Sequence, residues 1–287
     1  MPSRRGVGID LGDARSLALE ASWTSQGVSI VASHVAEGIL PGEEGWEGRL
    51  EGFLDRISLR RAPCYFALSG SSAWVRTLRL PPDTRGQEAV LREHVSRVHP
   101  DAARESVLDA FPLEEGGIQG ASPHLLASAP RALVETLSRA VRARGGWVER
   151  VEVAPTALAR LGARVGGEAL ALLDLRADAT VLVLLRNDAL CGVGVQRHAA
   201  PPRAQDLLRF CERHLIHFET RHPLAPVSLV LLCGDAASDA IAGALQMHLG
   251  VTASILYPPD LPQGGLPAGV TGAAFAVCCG VLDGIAA

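Results

Sequence analysis

The chain has 287 residues, 48% of them hydrophobic and 20% charged, enough apolar material for one large or two modest domains and too much for disorder or a collagen-like repeat. Its 31 acidic against 27 basic residues leave a net charge of −4, which argues against a surface built to neutralise nucleic-acid phosphates. The sequence contains no lysine, so all 27 basic residues are arginines, and Schiff-base chemistry, a P-loop lysine and a protein-kinase lysine are excluded.

In chain order, Met1 to Arg5 runs straight into Gly6-Val7-Gly8-Ile9-Asp10, which leaves no room for the apolar region of a signal peptide. Val7 to Gly12 is a short apolar strand ending in an Asp and a Gly. Ser16 to Trp23 and Val28 to Val35 complete a β-meander with it. Leu50, Phe53, Leu54 and Ile57 give Trp46 to Leu59 the helical spacing, and Cys64 to Leu68 returns as a buried strand. A strand over Ala73 to Leu80 stops at Pro81-Pro82. The following segment has a charged helix (Asp83 to Val98), strands over Val107 to Leu113 and Pro123 to Ala129 around Gly116-Gly117, and a helix over Pro130 to Arg144. It reads as a small inserted α/β subdomain. Trp147 to Val153 returns to the first unit, followed by a helix over Pro155 to Arg164.

After Gly166-Gly167 the pattern repeats. Ala169 to Leu175, Ala179 to Leu185 and Leu190 to Gln196 form a second meander, again with an Asp, Asp174, at the end of its first strand. A helix over Arg203 to Thr220, a strand over Val227 to Cys233, a helix over Ala237 to Leu249 and a strand over Thr252 to Leu256 complete it. Leu266 to Val281 is the longest apolar run, too short and too rich in Ala and Gly to span a membrane, and reads as a packed core helix. The six cysteines show no CxxC pair and no secretory spacing, which fits a reduced, cytosolic chain.

Two meanders, each with an Asp closing its first strand, point to a cleft between duplicated halves. Tight hairpins can present backbone N–H groups to a phosphate chain, and two carboxylates can hold a hydrated divalent cation over it. The turn at Cys233-Gly234-Asp235-Ala236 offers small residues where a backbone must approach a purine. The alternative is that Asp10 and Asp174 are ordinary turn residues and the glycines only supply positive φ.

The order of these pieces resembles the actin and sugar-kinase superfamily: Gly8-Ile9-Asp10-Leu11-Gly12 as the first phosphate hairpin, Asp174 to Thr180 as the second, and Cys233 to Ala236 as the adenosine turn. Within it the chain is most similar to the PilM family of type IV pilus assembly, with the cytoplasmic part of GspL from type II secretion as a relative. Val75 to Pro81, the helix through Glu93 to His99-Pro100, and Glu105 to Asp109 resemble the start of the subdomain that PilM and FtsA carry. Gly145 to Val148, Pro155 to Arg160, and the helix with Glu212 and Arg213 that leads into Leu232-Cys233-Gly234 are also PilM-like.

The resemblance implies an actin-like, ribonuclease H-like α/β fold with two duplicated lobes, the first from 1–81 and 146–166, the second from 167–287, and an inserted subdomain over 82–145. It also implies ATP and Mg2+ in the cleft, with Asp10, Gly12, Asp174, Arg176, Thr180, Gly234 and Ala236 around the nucleotide and Asp10 and Asp174 beside the metal. The expected role is a cytoplasmic scaffold recruited to the inner membrane. It would dock the cytosolic tail of a PilN-like bitopic protein in a groove lined by Cys64 to Leu68, Ala73 to Leu80 and the insert. That would couple the membrane complex to motor ATPases, and it leaves a homodimer open.

Several residues depart from the family pattern. Asp13 stands in the first hairpin and would repel phosphate. Arg176 stands where a glycine is usual, and its side chain either pairs with a phosphate or fills the phosphate's space. Ala199-Ala200-Pro201-Pro202 replaces a Gly-Gly pair and removes N–H donors. Thr156, near the place of a water-orienting residue in relatives that hydrolyse ATP, is a poor general base. A nucleotide-free pseudo-ATPase scaffold and a sugar- or acetate-kinase-type phosphotransferase are the competing readings. Cys211, His214, His217 and His222 have partial metal-ligand character, but the spacing spreads them around a helix. Ser69-Gly70-Ser71-Ser72 reads as a plain turn between strands.

Overall fold

A computed structural model describes residues 4–24, 27–80, 88–98, 105–114, 122–199, 203–258, 261 and 266–283. Pro81-Pro82, Pro100, Gly116-Gly117, Ala200, Pro201-Pro202 and Gly264-Gly265 lie outside them.

Apolar runs bounded by turns set the two main sheets. β1 (Arg4–Leu11), β2 (Arg15–Thr24) and β3 (Gly27–Glu37) form the first meander, and β4 (Pro63–Leu68) joins β1 in parallel. The second half repeats this with β9 (Ala169–Leu175), β10 (Ala179–Arg186), β11 (Ala189–Arg197) and β12 (Leu229–Cys233). With β8 (Trp147–Val153) and β13 (Thr252–Ile255) as outer parallel strands, the orders are β3-β2-β1-β4-β8 and β11-β10-β9-β12-β13. Strand for strand, the two sheets have the same order and the same sense, so the duplication read from the sequence is present in the topology. Parallel central strands are covered on both faces, which is why β1 from Gly6 and all of β9 are buried rather than alternating.

A third sheet, order β5-β7-β6, is built from β5 (Trp74–Leu80), β6 (Ser106–Pro112) and β7 (Ser122–Pro130). Strand β5, which precedes Pro81-Pro82, thus pairs with β7 beyond them instead of with the first sheet. Helix α2 (Glu88–Val98) covers this sheet, with Leu91 and Val95 packed on Leu80 and Leu126.

Helix α1 (Trp46–Leu54) is shorter than its apolar spacing suggests. The chain tightens after it, where Ile57 N–H donates to Leu54 O (3.1 Å), and Ile57 and Leu59 stay buried without helical geometry. Helices α3 (Arg131–Ala143), α4 (Ala154–Val165, Pro155 in its first turn), α5 (Ala204–Arg221) and α6 (Asp239–Leu249) follow the expected segments. The terminal segment differs. The helix expected over 266–281 is a short α7 (Ala276–Asp283) behind a 3-10 turn at Gly272–Phe275, because Pro267, Gly269 and Gly272 break the pattern before it.

Helix α7 packs on β1, β2 and β4 and lies against α4, which also packs on β9, β10 and β11. The two helices meet at backbone distance: a Cβ at Gly280 would sit 2.0 Å from the carbonyl oxygen of Ala157. Among the described residues, no helix is long and apolar enough to cross a membrane.

All six cysteines are free and buried. Burial pushes the Cys64 and Cys211 thiols up to about 12 and Cys191 up to about 11. At pH 8 the folded protein is therefore expected to exchange none of its six thiols with an aromatic disulfide within minutes, and all six once denatured. One fast thiol in the native protein would contradict this packing.

Candidate functional site

Asp10 and Asp174 occupy equivalent places near the C-terminal ends of β1 and β9, and both are buried, 0% and 1% exposed. Arg176 lies between them. Its Nη2 donates to Asp10 Oδ2 and its Nε to Asp174 Oδ2, each at 2.7 Å, with the side chain only 11% exposed. The second oxygen of Asp10 accepts from Ser69 Oγ at 2.6 Å. Ser69 follows β4, the parallel neighbour of β1, so the serine turn is part of the cleft rather than a plain connection.

Electrostatics reinforce the arrangement. Burial lowers the Arg176 pKa, but Asp10 and Asp174 outweigh it and hold the guanidinium well above its usual value. Burial raises the Asp174 carboxyl against the pull of Arg176.

The hairpin residues serve the same contact. A Cβ at Gly12 would lie 2.7 Å from Arg15 O and 3.0 Å from Arg176 Nη1, so the glycine makes room for the arginine. Both Asp13 oxygens accept from Ser71 N–H at 2.8 Å, and Oδ1 also from Ser71 Oγ at 2.8 Å, which caps the 3-10 turn Gly70–Ser72. Thr180 is buried, with its Oγ1 2.8 Å from His198 Nε2. Gly234 has φ 89°, and a Cβ there would be 2.2 Å from Leu175 O and 2.6 Å from Asp174 Oδ1. The amides of this turn bond within the protein, Gly234 N–H to Ala273 O and Ala236 N–H to Leu175 O, both at 3.0 Å.

Beside this bridge lies a cavity of about 20 Å³ lined by Gly12, Asp13, Arg15, Arg176, Asp178 and Asp235, among others. A site for one water needs at least ~10–15 Å³, and a pocket for a drug-sized ligand ~300 Å³ or more. The carboxylates of Asp10, Asp13, Asp174, Asp178 and Asp235 outnumber the guanidiniums of Arg15 and Arg176 around this space. Half-buried Asp178 has its pKa raised, by desolvation first. These residues do not fit a magnesium nucleotide: the guanidinium occupies both carboxylates that would take the hydrated cation, and the surplus negative charge opposes a polyphosphate.

A larger groove, about 470 Å³, lies between the insert and the first sheet. Its walls are β6 and β7 on one side and β8 with the start of α4 on the other, and Leu68 is its only residue from β4. β5 contributes none, because it sits on the far edge of the insert's sheet. Both β6 and β8 are sheet edges. Glu152, 9% exposed at the side chain, is the polar centre of the groove: it pairs with Arg150 at 3.1 Å and with Arg160, and accepts from Thr156 Oγ1 at 2.7 Å. Thr156 therefore lines this groove rather than the central cavity. Just past β6, Glu114 N–H donates to Leu190 O of β11 at 2.8 Å and ties the insert to the second half.

The His and Cys residues of α5 do not converge. Cys211 is buried, and His214 Nδ1 lies 2.8 Å from Phe210 O, while His222 packs on Phe218.

No protein-family model matches the chain, and no curated sequence matches it. Solved structures do. One described as the PilM-PilN type IV pilus biogenesis complex aligns over 99% of this chain and 99% of the other with a TM-score of 0.71 at 22% identity. The two chains share one fold. The cytoplasmic domain of EpsL, an inner membrane component of the type II secretion system of Vibrio cholerae, aligns over 99% and 95% with a TM-score of 0.55 at 12% identity. A Bacteroides thetaiotaomicron protein with an actin-like ATPase fold and unknown function aligns over 90% and 93% with a TM-score of 0.60 at 10% identity. The mixed α/β architecture is thus actin-like, and the resemblance to PilM and to the GspL-type cytoplasmic domain carried by the sequence motifs has its counterpart in the fold.

Proposed function

We propose that the chain is a PilM-like scaffold of a type IV pilus or related type II secretion assembly. On this reading it is cytoplasmic, is recruited to the inner-membrane face, and couples a bitopic partner to the motor ATPases. Its partner is a PilN-like protein whose cytosolic tail enters the groove between β6 and β8.

The groove carries the proposal. Two outer sheet strands flank a space of about 470 Å³, the right setting for an extended peptide that adds main-chain hydrogen bonds to a sheet edge. Val107 and Phe111 on β6 are 39% and 46% exposed, apolar side chains at its mouth. The likeness to PilM in the PilM-PilN complex supports the choice of partner. The polar cluster of Glu152, Arg150 and Arg160 would select the charge of the tail.

The test is calorimetric titration with a peptide of the partner's cytosolic tail. Val107→Asp and Phe111→Asp are expected to weaken binding at least tenfold, about 1.4 kcal/mol, with unfolding temperature unchanged. Unchanged binding in both variants would remove the groove as the docking site.

A further inference from the structure

We infer that the cleft between the two halves is a ligand-independent latch, in which the Arg176 guanidinium replaces the cation that would join Asp10 to Asp174 and keeps the halves closed. This goes beyond the docking reading and does not depend on it.

Three arginines cross the cleft. Arg176, from the turn after β9, reaches Asp10 of the first half. Arg197, at the end of β11, donates through Nη2 to the carbonyls of Gly70 (2.8 Å) and Ala73 (3.1 Å). Arg15, at the start of β2, runs the other way and lies 3.8 Å from Asp235. A guanidinium is planar, permanently charged and able to fork onto two acceptors, so one side chain can bridge two carboxylates that would otherwise repel. The guanidinium keeps its charge at working pH and needs no ligand to hold it.

Supporting features are local and independent of one another. Gly12 leaves the space that Arg176 occupies, Ser69 takes the oxygen of Asp10 that Arg176 does not, and Asp13 is committed to the Ser71 turn. A polyphosphate entering this space would have to displace Arg176 from both carboxylates and then face them unneutralised.

The experiment uses the full chain. Calorimetric titration with magnesium ATP, and with magnesium alone, is expected to give no saturable heat, and the unfolding temperature is expected to stay the same with either. Hydrogen exchange is expected to show β1 and β9 equally protected with and without magnesium ATP. Arg176→Met is expected to speed exchange in both strands at least tenfold. Should that variant not fold, Arg197→Ala is expected to speed exchange in the Gly70–Ser72 turn while the wild-type titration still decides the case. Saturable magnesium-ATP binding by the wild type, lost in Asp10→Asn, would overturn the latch, as would exchange in a folded Arg176→Met that matches the wild type. Tail-peptide titrations run with and without magnesium ATP separate the two readings. A peptide that fails to bind sinks the docking proposal alone, whereas peptide affinity that rises on adding the nucleotide sinks the latch alone.

Discussion

Asp174→Ala is expected to lower the unfolding free energy by about 3–5 kcal/mol, the usual consequence of removing one partner from a buried ion pair. The magnitude follows from what stays behind. Arg176 cannot shed its proton, and it is 11% exposed, so the variant holds a permanent charge in a nearly dry site with Asp10 as the carboxylate it still hydrogen-bonds. The double variant Asp174→Ala Arg176→Met is expected to recover part of the loss, because it removes the orphaned charge together with its partner. Urea denaturation of both variants measures this. A loss below about 1 kcal/mol for Asp174→Ala would mean that the pair behaves like a solvent-screened surface bridge.

The second large effect is at the α4–α7 crossing. In Gly280→Val the new side chain meets the Ala157 carbonyl oxygen at 2.0 Å and its carbon at 2.6 Å. Backbone cannot rotate aside as a side chain can, so the cost is expected at or above the upper end of the ~1–3 kcal/mol typical of overpacking. Gly243→Ala is the control with the opposite sign. That residue lies in α6 with nothing within 4 Å of its added Cβ, and the exchange is expected to stabilise by about 0.5–1 kcal/mol. Equal effects of the two substitutions would contradict the close helix contact.

Much of this architecture is legible in the chain because it rests on local signals. The two apolar meanders and their closing aspartates are periodic over a few residues each, and the matching sheet orders follow from them. The partner of β5 was not legible: its spacing marks a strand, but nothing within it says whether β4 or β7 is its neighbour, and Pro81-Pro82 suggested a break that the hydrogen bonds cross. Residue 176 stood out as an arginine where a glycine is usual, yet its reach to Asp10, 166 positions away, is a property of the folded cleft. Ser69 and Ser71 were missed for the same reason. The available signal was a serine-rich turn following β4 beside two hairpin acids, which has meaning only once β1 and β4 are known to be parallel neighbours. The groove shifted from β5 to β8 because β8 is the outer strand of the first sheet.

The hydrogen bond from Glu114 to Leu190 has a mechanical consequence. Two bodies joined along a single seam form a hinge, free to swing about one axis. Here the α4–α7 crossing is such a seam, the arginines across the cleft add to it, and the insert, continuous with the first half, reaches across to β11 like a strut. The three bodies thus form a closed linkage rather than an open jaw. Rotation of one half about the seam must bend the strut or break it, so a pull on anything seated beside β6 and β8 is shared by the whole ring instead of opening it at its weakest joint.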